Sequence, residues 1–484
     1  MSSHTLEADP GASARSGPPG PPAPASAGSL VRRHSGWLVA AGLLVLSVAV
    51  VQWARTRPGF DPYGWLTWGH QTIHGSLDTN AAPSWKPLPW LFTTVYAVFG
   101  RYELKLWMIT SVAISLSGVV FAARIVYRLT DAPPQRRWAG LVAGAFAGIA
   151  VLGIQNDAHY ILSAQSDPMI VALCLGAIDG HLSGRVRTAF ALGVLASLGR
   201  PEVWPFLGLY SIWAWRERPE TRVLLAGGWV AIVLFWFGVP ALTSRTPFVA
   251  ASNANKSGRR LTSNQVFGTV QRFLAINELP VELAALIALG LAIWRRHRTI
   301  LVLTAATLVW VVIEIAFALH GWPGLVRYMF EAGAVVIVLA GVAVGWLLTS
   351  ATRWPSLPAW LGPALVVVLV ASLVPAAISH ARDEHADLQH QRKRTDEIAA
   401  LTPAINRVGG AGRLNACGEP LTRLEYQTTL AYTLGINVNK IGFKFSQAVA
   451  RGNPIILFTP AATGIGWTVR AIHQAGASCR SLPH

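Results

Sequence analysis

The chain has little charge. Only 13% of its 484 residues are Asp, Glu, Lys or Arg, roughly half the ~25% of an average soluble domain. A soluble enzyme of this length needs a far more polar surface, so that class is excluded. A disordered chain is excluded as well, because 52% of the residues are hydrophobic. Cysteine is scarce, at three, and the three do not have zinc spacing. There is no Walker-type Gly-rich loop, no Gly-x-Ser-x-Gly elbow and no His-Glu-x-x-His. Neither an internal repeat of fixed period nor an inverted pair of broken helices of the transporter kind is found. What the chain does have is 20 Trp and a mean hydropathy of +0.42. Those values leave an integral membrane protein. The net charge of +17 does not point to nucleic acid, because the Arg sit at the ends of apolar runs, where membrane topology explains them.

Residues 1–30 are rich in Pro, Gly, Ala and Ser and are expected to be a disordered cytoplasmic tail. Apolar runs follow at about 36–54, 104–129, 138–154, 166–182, 186–199, 203–215, 222–243, 280–294, 299–319, 327–348 and 359–379. Counted as spans they number about eleven and make up a membrane region over 31–379. The 186–199 and 203–215 pair reads either as two spans or as a re-entrant hairpin. With the N-terminus inside, the Arg at 124, 128, 136, 137, 185, 187, 216, 218, 222, 295, 296, 298 and 353 all fall on the cytoplasmic side. The C-terminus is then extracytoplasmic. So are two long loops, at 55–103 and 244–279.

The expected fold is therefore an all-α polytopic membrane protein with a small extracytoplasmic α/β domain at 380–484. In that tail Leu388, Ile398, Leu401, Ile405 and Val408 fall roughly at helical spacing, and Gly409-Gly410 stops the run. Arg413–Ala416 and Pro454–Phe458 read as strands, Thr428–Leu434 and Val469–Ala475 as helices. An oxidising location makes a Cys417–Cys479 disulfide the expected pairing, against two unrelated thiols.

Ionisable residues are most concentrated in the first long loop: Asp61-Pro62-Tyr63, then His70, His74 and Asp78, then Lys86-Pro87-Leu88-Pro89. The stretch from Leu88 to Phe99 is too short to span and reads as an interfacial helix. Two bland readings stand beside a chemical one. Asp61 before Pro62 suits a helix N-cap, and Lys86 suits a cation snorkelling at the interface. Together, a carboxylate and an ammonium on one membrane-surface loop also suit a group transfer. The carboxylate accepts a proton from a sugar hydroxyl, and the cation opposes the charge on a departing lipid phosphate.

The segment 61–78, followed by Trp-Lys-Pro-Leu-Pro-Trp-Leu-Phe at 85–92 and Phe99-Gly100, resembles the first outer loop of GT-C glycosyltransferases. It is most similar to the branch holding protein O-mannosyltransferases and lipid A aminoarabinose transferases. Those proteins commonly carry an acidic pair, where this chain has Asp61 and then Pro62, and a Lys-Pro-Pro-Leu segment, which Lys86-Pro87-Leu88-Pro89 matches in altered order. The resemblance implies that Asp61 is the catalytic base and that Lys86 helps hold the lipid phosphate. With the second acid missing, no metal and no cofactor are expected. The donor is then a polyprenyl-phosphate sugar acting as co-substrate.

Other residues are ranked against that template. Arg327 suits a phosphate clamp or an intrahelical pair with Glu331, and Arg259 and Arg260 suit a donor phosphate or anionic headgroups. Tyr63, His70, Asp78, Asp157, His159 and Asp167 are candidates for binding substrate, against solvated loop residues. Glu202 beside Arg200 reads as an interfacial ion pair, and Glu314 as a mid-span group facing the bundle interior. The expected function is an inverting transfer of a sugar to an extracytoplasmic glycan, lipid or protein acceptor at the plasma membrane. The alternatives are a transporter or flippase of a lipid-linked sugar and a non-catalytic assembly protein. The Arg-rich, Ala-rich composition suits a high-GC bacterium such as an actinobacterium.

Overall fold

The protein is described from a computed structural model, which covers residues 27–255, 261, 264–353, 358–462 and 464–473. Residues Met1–Gly42 fall in one compact unit and those from Leu43 onward in another. In the first, only the start of the helix Ala27–Ala54 is described; most of the expected tail lies outside the described residues.

Helices form at every apolar run expected from the sequence, but their lengths differ. Among the described residues six are long and apolar enough to cross a membrane, or up to seven if the helices Gln265–Leu274 and Leu279–Arg295, bent by 94°, are one span. The count of eleven is therefore not what length supports. The helices Arg137–Val151, Asp167–Leu182 and Val186–Gly199 have 15, 16 and 14 residues. At ~1.5 Å per residue each is about 21–24 Å long, short of a hydrocarbon core of ~30 Å.

The burial pattern is that of a membrane bundle. The helix Phe330–Leu348 is buried almost throughout and lies at the centre, where Ala and Gly let its neighbours approach. On the peripheral helices the large apolar side chains point outward: Val223 and Leu242 are each 89% exposed. Water would not tolerate such a surface, whereas lipid does. Trp53, Trp138 and Trp215 are also exposed, as interfacial anchors should be. Trp204 instead donates its indole N–H to the Ser197 carbonyl at 3.1 Å.

The first loop is more ordered than a loop need be. It folds into the helices Phe60–Ile73 and Pro87–Ala97, packed face to face. Gly69 makes this possible, because a Cβ there would overlap the carbonyl of Thr93. Pro87 and Pro89 open the second helix, where a missing N–H costs nothing.

The last membrane helix does not stop at the charged segment. It runs unbroken from Leu361 to Arg407, 47 residues, or about 70 Å. That is more than twice the hydrocarbon thickness, so its charged half lies beyond the membrane. Gly409, with φ of 102°, ends it. Leu388, Ile398, Leu401 and Ile405 are buried along its inner face.

Beyond it the chain forms a three-stranded sheet, β1 (Glu419–Leu421), β2 (Ile455–Pro460) and β3 (Trp467–His473), in that spatial order. β1 is parallel to β2, with Glu419 opposite Ile455. β3 is antiparallel to β2, with an irregularity between Ile455 and Ile456. The expected strand at 454–458 and helix at 428–434 are found as Ile455–Pro460 and Gln427–Leu434. Two expectations are reversed. Arg413–Ala416 is part of the helix Gly410–Cys417, and the segment from Val469 is strand β3 rather than helix. In β3 the alternation of buried Trp467, Val469 and Ala471 is a two-residue period, and its run of Thr, Val and Ile favours a strand.

This segment lies directly on the first loop. Thr428 Oγ1 donates to the Phe60 carbonyl at 2.6 Å and the Tyr432 ring meets Tyr63 at a tilt, centroids 5.4 Å apart, while Trp467 Nε1 donates to the Glu397 carbonyl of the last helix at 2.6 Å. Cys417 is buried and does not titrate as a free thiol. The other half of the expected pair, Cys479, lies outside the described residues.

Candidate active site

Four separate parts of the sequence meet at one end of the bundle. Asp61 comes from the first turn of the helix Phe60–Ile73, Lys86 from the residue preceding the helix Pro87–Ala97, and Asp167 from the first position of the helix Asp167–Leu182. Arg327 lies in a short 3₁₀ turn at 326–329, just before the central helix.

Asp61 is not an N-cap. Gly59 holds that position and no side chain caps the helix, so the carboxylate is released for other contacts. It faces Arg327, whose Nη2 donates to Asp61 Oδ2 at 3.3 Å. Arg327 Nη1 stands 3.6 Å from Asp167 Oδ2. Lys86 Nζ lies 3.7 Å from Asp167 Oδ1 and donates to Ser166 Oγ at 2.9 Å. Burial pushes the Lys86 ammonium below the usual lysine range, with Asp167 opposing that shift. Lys86 thus lies in the interior rather than snorkelling to water.

Asp167 is the hub. Its carboxylate is fully buried and is reached by three cations: Lys86, Arg327 and Arg200. Arg200, only 2% exposed, hydrogen-bonds Asp167 and donates from Nη2 to the Arg327 carbonyl at 3.0 Å. Its Nε is 3.1 Å from Glu331 and its Nη1 is 3.6 Å from Glu202. Its guanidinium also covers the Tyr328 ring at 4.7 Å. One expectation is corrected here and one extended. Arg327 pairs with Asp61 and Asp167 rather than with Glu331, and Arg200, besides the expected pair with Glu202, which is buried, also pairs with Asp167 and Glu331. The helices Val186–Gly199 and Trp204–Glu217 meet at this turn, which explains the position of Arg200. Glu314 is buried too, as its place inside an apolar helix requires.

A cavity of about 2050 Å³ opens above the cluster. Asp61, Gln165, Arg327 and Tyr328 line one side. Residues of the long last helix and of the C-terminal segment, among them Arg394 and Lys440, line the other.

The remaining sequence candidates are placed differently. His159 lines the cavity, with Nδ1 2.9 Å from the Asp387 carboxylate on the last helix. Tyr63 is buried against Tyr432 and does not line the cavity. His70 meets the buried Glu103 at 2.8 Å, and the same Glu103 oxygen accepts from Tyr432 at 2.5 Å. That hydrogen bond to Glu103 raises the His70 pKa against the opposing effect of burial. Asp78 accepts from Asn80 and from Asn439 of the C-terminal segment. These three hold the first loop to that segment, and none of them lines the cavity. Asp157 is also away from the cavity wall. It is buried, and desolvation pushes its carboxyl up to about 8. Arg259 and Arg260 lie outside the described residues. Among the described residues no three His, Cys, Asp or Glu side chains are grouped to hold a metal ion.

Two members of the cluster were underrated or missed in the sequence: Asp167, ranked with loop residues, and Arg200. A signal for both was present. Each is an ionisable residue inside an apolar stretch and beside a proline, where burial without a charged partner would be costly.

No protein-family model matches the chain, and no curated protein matches it. Among solved structures the chain shares the fold of ArnT from Cupriavidus metallidurans bound to undecaprenyl phosphate. The TM-score is 0.50 at 18% identity, over 88% of this chain and 93% of that one. The same ArnT in the apo state gives 0.51 at 17% identity, with the same coverage. At this identity the likeness shows the fold alone: a multi-pass membrane bundle, helical apart from the small sheet near its C-terminal end.

Proposed function

We propose that the chain is an inverting glycosyltransferase of the GT-C kind, taking its sugar from a polyprenyl monophosphate. The observation that carries this reading is the ion pair between Asp61 and Arg327 on the wall of the cavity, with Lys86 and Asp167 immediately behind it. The pair joins a proton acceptor and an anion ligand in one site. The shared fold supports the reading, since one ArnT structure holds undecaprenyl phosphate.

In this reading the donor phosphate approaches Arg327 and Lys86. A phosphate at Arg327 competes with Asp61 for the guanidinium, which loosens the pair and turns the carboxylate toward the acceptor. The acceptor hydroxyl attacks the anomeric carbon as the bond from that carbon to the phosphate oxygen breaks. Its proton passes to Asp61, and the electron pair leaves with the polyprenyl phosphate, whose charge Arg327 and Lys86 oppose. One carboxylate suffices because no sugar–enzyme bond forms. Asp167 and Arg200 bind no substrate in this scheme; they hold the two cations in place. The cavity is larger than the ~300–1,000 Å³ of an ordinary small-molecule pocket, which leaves room for both substrates.

The remainder of the reading concerns placement. The short helices complete about eleven crossings of a locally thinned bilayer. The N-terminus is cytoplasmic, and the cavity and the segment from 380 onward are extracytoplasmic, as the Arg distribution requires. Binding of undecaprenyl phosphate to the purified protein, compared between wild type and Arg327→Ala, tests the donor half. A loss of at least about tenfold is expected for one charge-assisted contact. Equal binding by the two proteins contradicts it.

A further inference from the structure

The cavity wall has an unusual composition. The chain contains 11 Asn and 12 Gln among 484 residues, yet nine of these 23 carboxamides line this one cavity, which 41 residues form. Among the described residues no Trp does. The enrichment is more than fourfold over the chain as a whole. It spans both sides, with Asn156 and Gln165 on the bundle side and Asn415, Gln447 and Asn453 on the C-terminal side.

Many of these groups are not consumed by the fold. Among the described residues the side chains of Asn156, Gln447 and Asn453 make no hydrogen bond. Gln165 and Gln427 are buried, and each keeps an Oε1 with no partner. An unpaired buried polar atom is costly to the fold, so such atoms recur where a ligand is to be met.

We propose that this cavity binds a carbohydrate acceptor, a neutral glycan chain of several sugars, with the 415–454 segment as its recognition wall. The inference rests on the transferase reading and names its acceptor class. A carboxamide offers both donors and an acceptor, which matches a sugar hydroxyl that also does both. A lipid chain gives carboxamides nothing to bond, and among the described residues the Trp-rich character of the chain stops at the cavity edge. Phe60, Tyr160 and Phe443 supply flat apolar faces among the amides, suited to the C–H face of a sugar ring. The volume exceeds what a sugar and a phosphate fill, so several acceptor residues fit beside the donor.

The test is a ligand-observed NMR titration of the full-length protein in nanodiscs with three neutral hexasaccharides: cellohexaose, maltohexaose and mannohexaose. A Gly-Ser decapeptide serves as the hydroxyl-poor probe. The expected result is binding of at least one hexasaccharide and not of the peptide. Gln447→Leu with Asn453→Leu, both exposed positions, should weaken that binding at least tenfold, the scale of two lost hydrogen bonds. Undecaprenyl phosphate binding by the double variant shows that it is folded. No hexasaccharide binding, binding unchanged in the double variant, or binding of the peptide instead would each overturn the inference. If undecaprenyl phosphate binds while no sugar does, the acceptor class is wrong and the transferase reading stands. If sugar binds and undecaprenyl phosphate does not, the transferase reading fails.

Discussion

Arg200 and Asp167 are joined side chain to side chain in the interior, the first 2% exposed and the second fully buried. The same guanidinium donates to the backbone carbonyl of Arg327. One residue thus ties the first turn of one helix to the turn that presents a cation to the cavity. Removing one partner of a buried pair leaves the other uncompensated, at a cost of ~3–5 kcal/mol.

Arg200→Met should therefore lower the melting temperature sharply, with Asp167, Glu202 and Glu331 left facing an apolar side chain. Arg200→Lys keeps the charge but loses the fork that bridges Asp167 to the Arg327 carbonyl. It should stay folded and bind donor more weakly. Thermal unfolding in detergent, beside undecaprenyl phosphate titration, separates the two effects.

Lys86 supplies a pH dependence. Burial lowers its ammonium pKa below the ordinary lysine value, so the positive charge is lost at a lower pH than for a free lysine. Affinity for undecaprenyl phosphate should fall as pH rises through that lowered value, and Lys86→Arg should move the fall to higher pH. A binding profile between pH 6 and 10 for the two proteins checks this.

Asp157 should make the protein less stable as pH rises. Its folded carboxyl is raised from 3.8 to about 8, so the folded state holds a proton that the unfolded chain releases. Its stability contribution is full below 3.8 and is lost as pH climbs toward 8. Asp157→Asn should raise the melting temperature by a few degrees at pH 8, less at pH 6, with no further gain above 8. Unfolding curves at those values decide it.

The attachment of the C-terminal segment should also respond to pH. Glu103 is shared by His70 and Tyr432, and the bond to Glu103 raises His70 above 6.5. Its contribution is present below 6.5 and is lost as pH rises through the raised value. His70 is partly exposed, so solvent reduces the effect. The difference in melting temperature between wild type and His70→Ala should be larger at pH 6 than at pH 9. Glu103→Ala removes the same pairing as well as the Tyr432 contact, so it should cost about 1–3 kcal/mol, more at pH 6 than at pH 9.

Much of the bundle was legible because apolar runs announce themselves: every expected run is helical. Their number as spans was not, since apolar runs as short as 186–199 and 203–215 read equally as two spans or as a re-entrant hairpin. In the tail, Val469–Ala475 reads as helix because a seven-residue window that starts at Val469 leaves out Trp467 and holds too few repeats to separate the periods. At the site, Asp61, Lys86 and Arg327 stood out as charges in an apolar chain. Asp167 and Arg200 are 33 residues apart, and only the packing of two short helices shows that they meet. His70, Asp78 and Tyr63 were read as facing a substrate because nothing in the sequence says that the segment 428–439 covers them.

The most direct test of the account is sugar transfer from a radiolabelled polyprenyl-phosphate donor in proteoliposomes, with wild type beside Asp61→Asn. The account predicts that wild type labels an acceptor and that Asp61→Asn binds the donor normally yet transfers ~10²–10⁴-fold more slowly, the usual loss for a missing general base. Transfer at the wild-type rate by Asp61→Asn, or donor binding by wild type with no transfer to any acceptor, contradicts it.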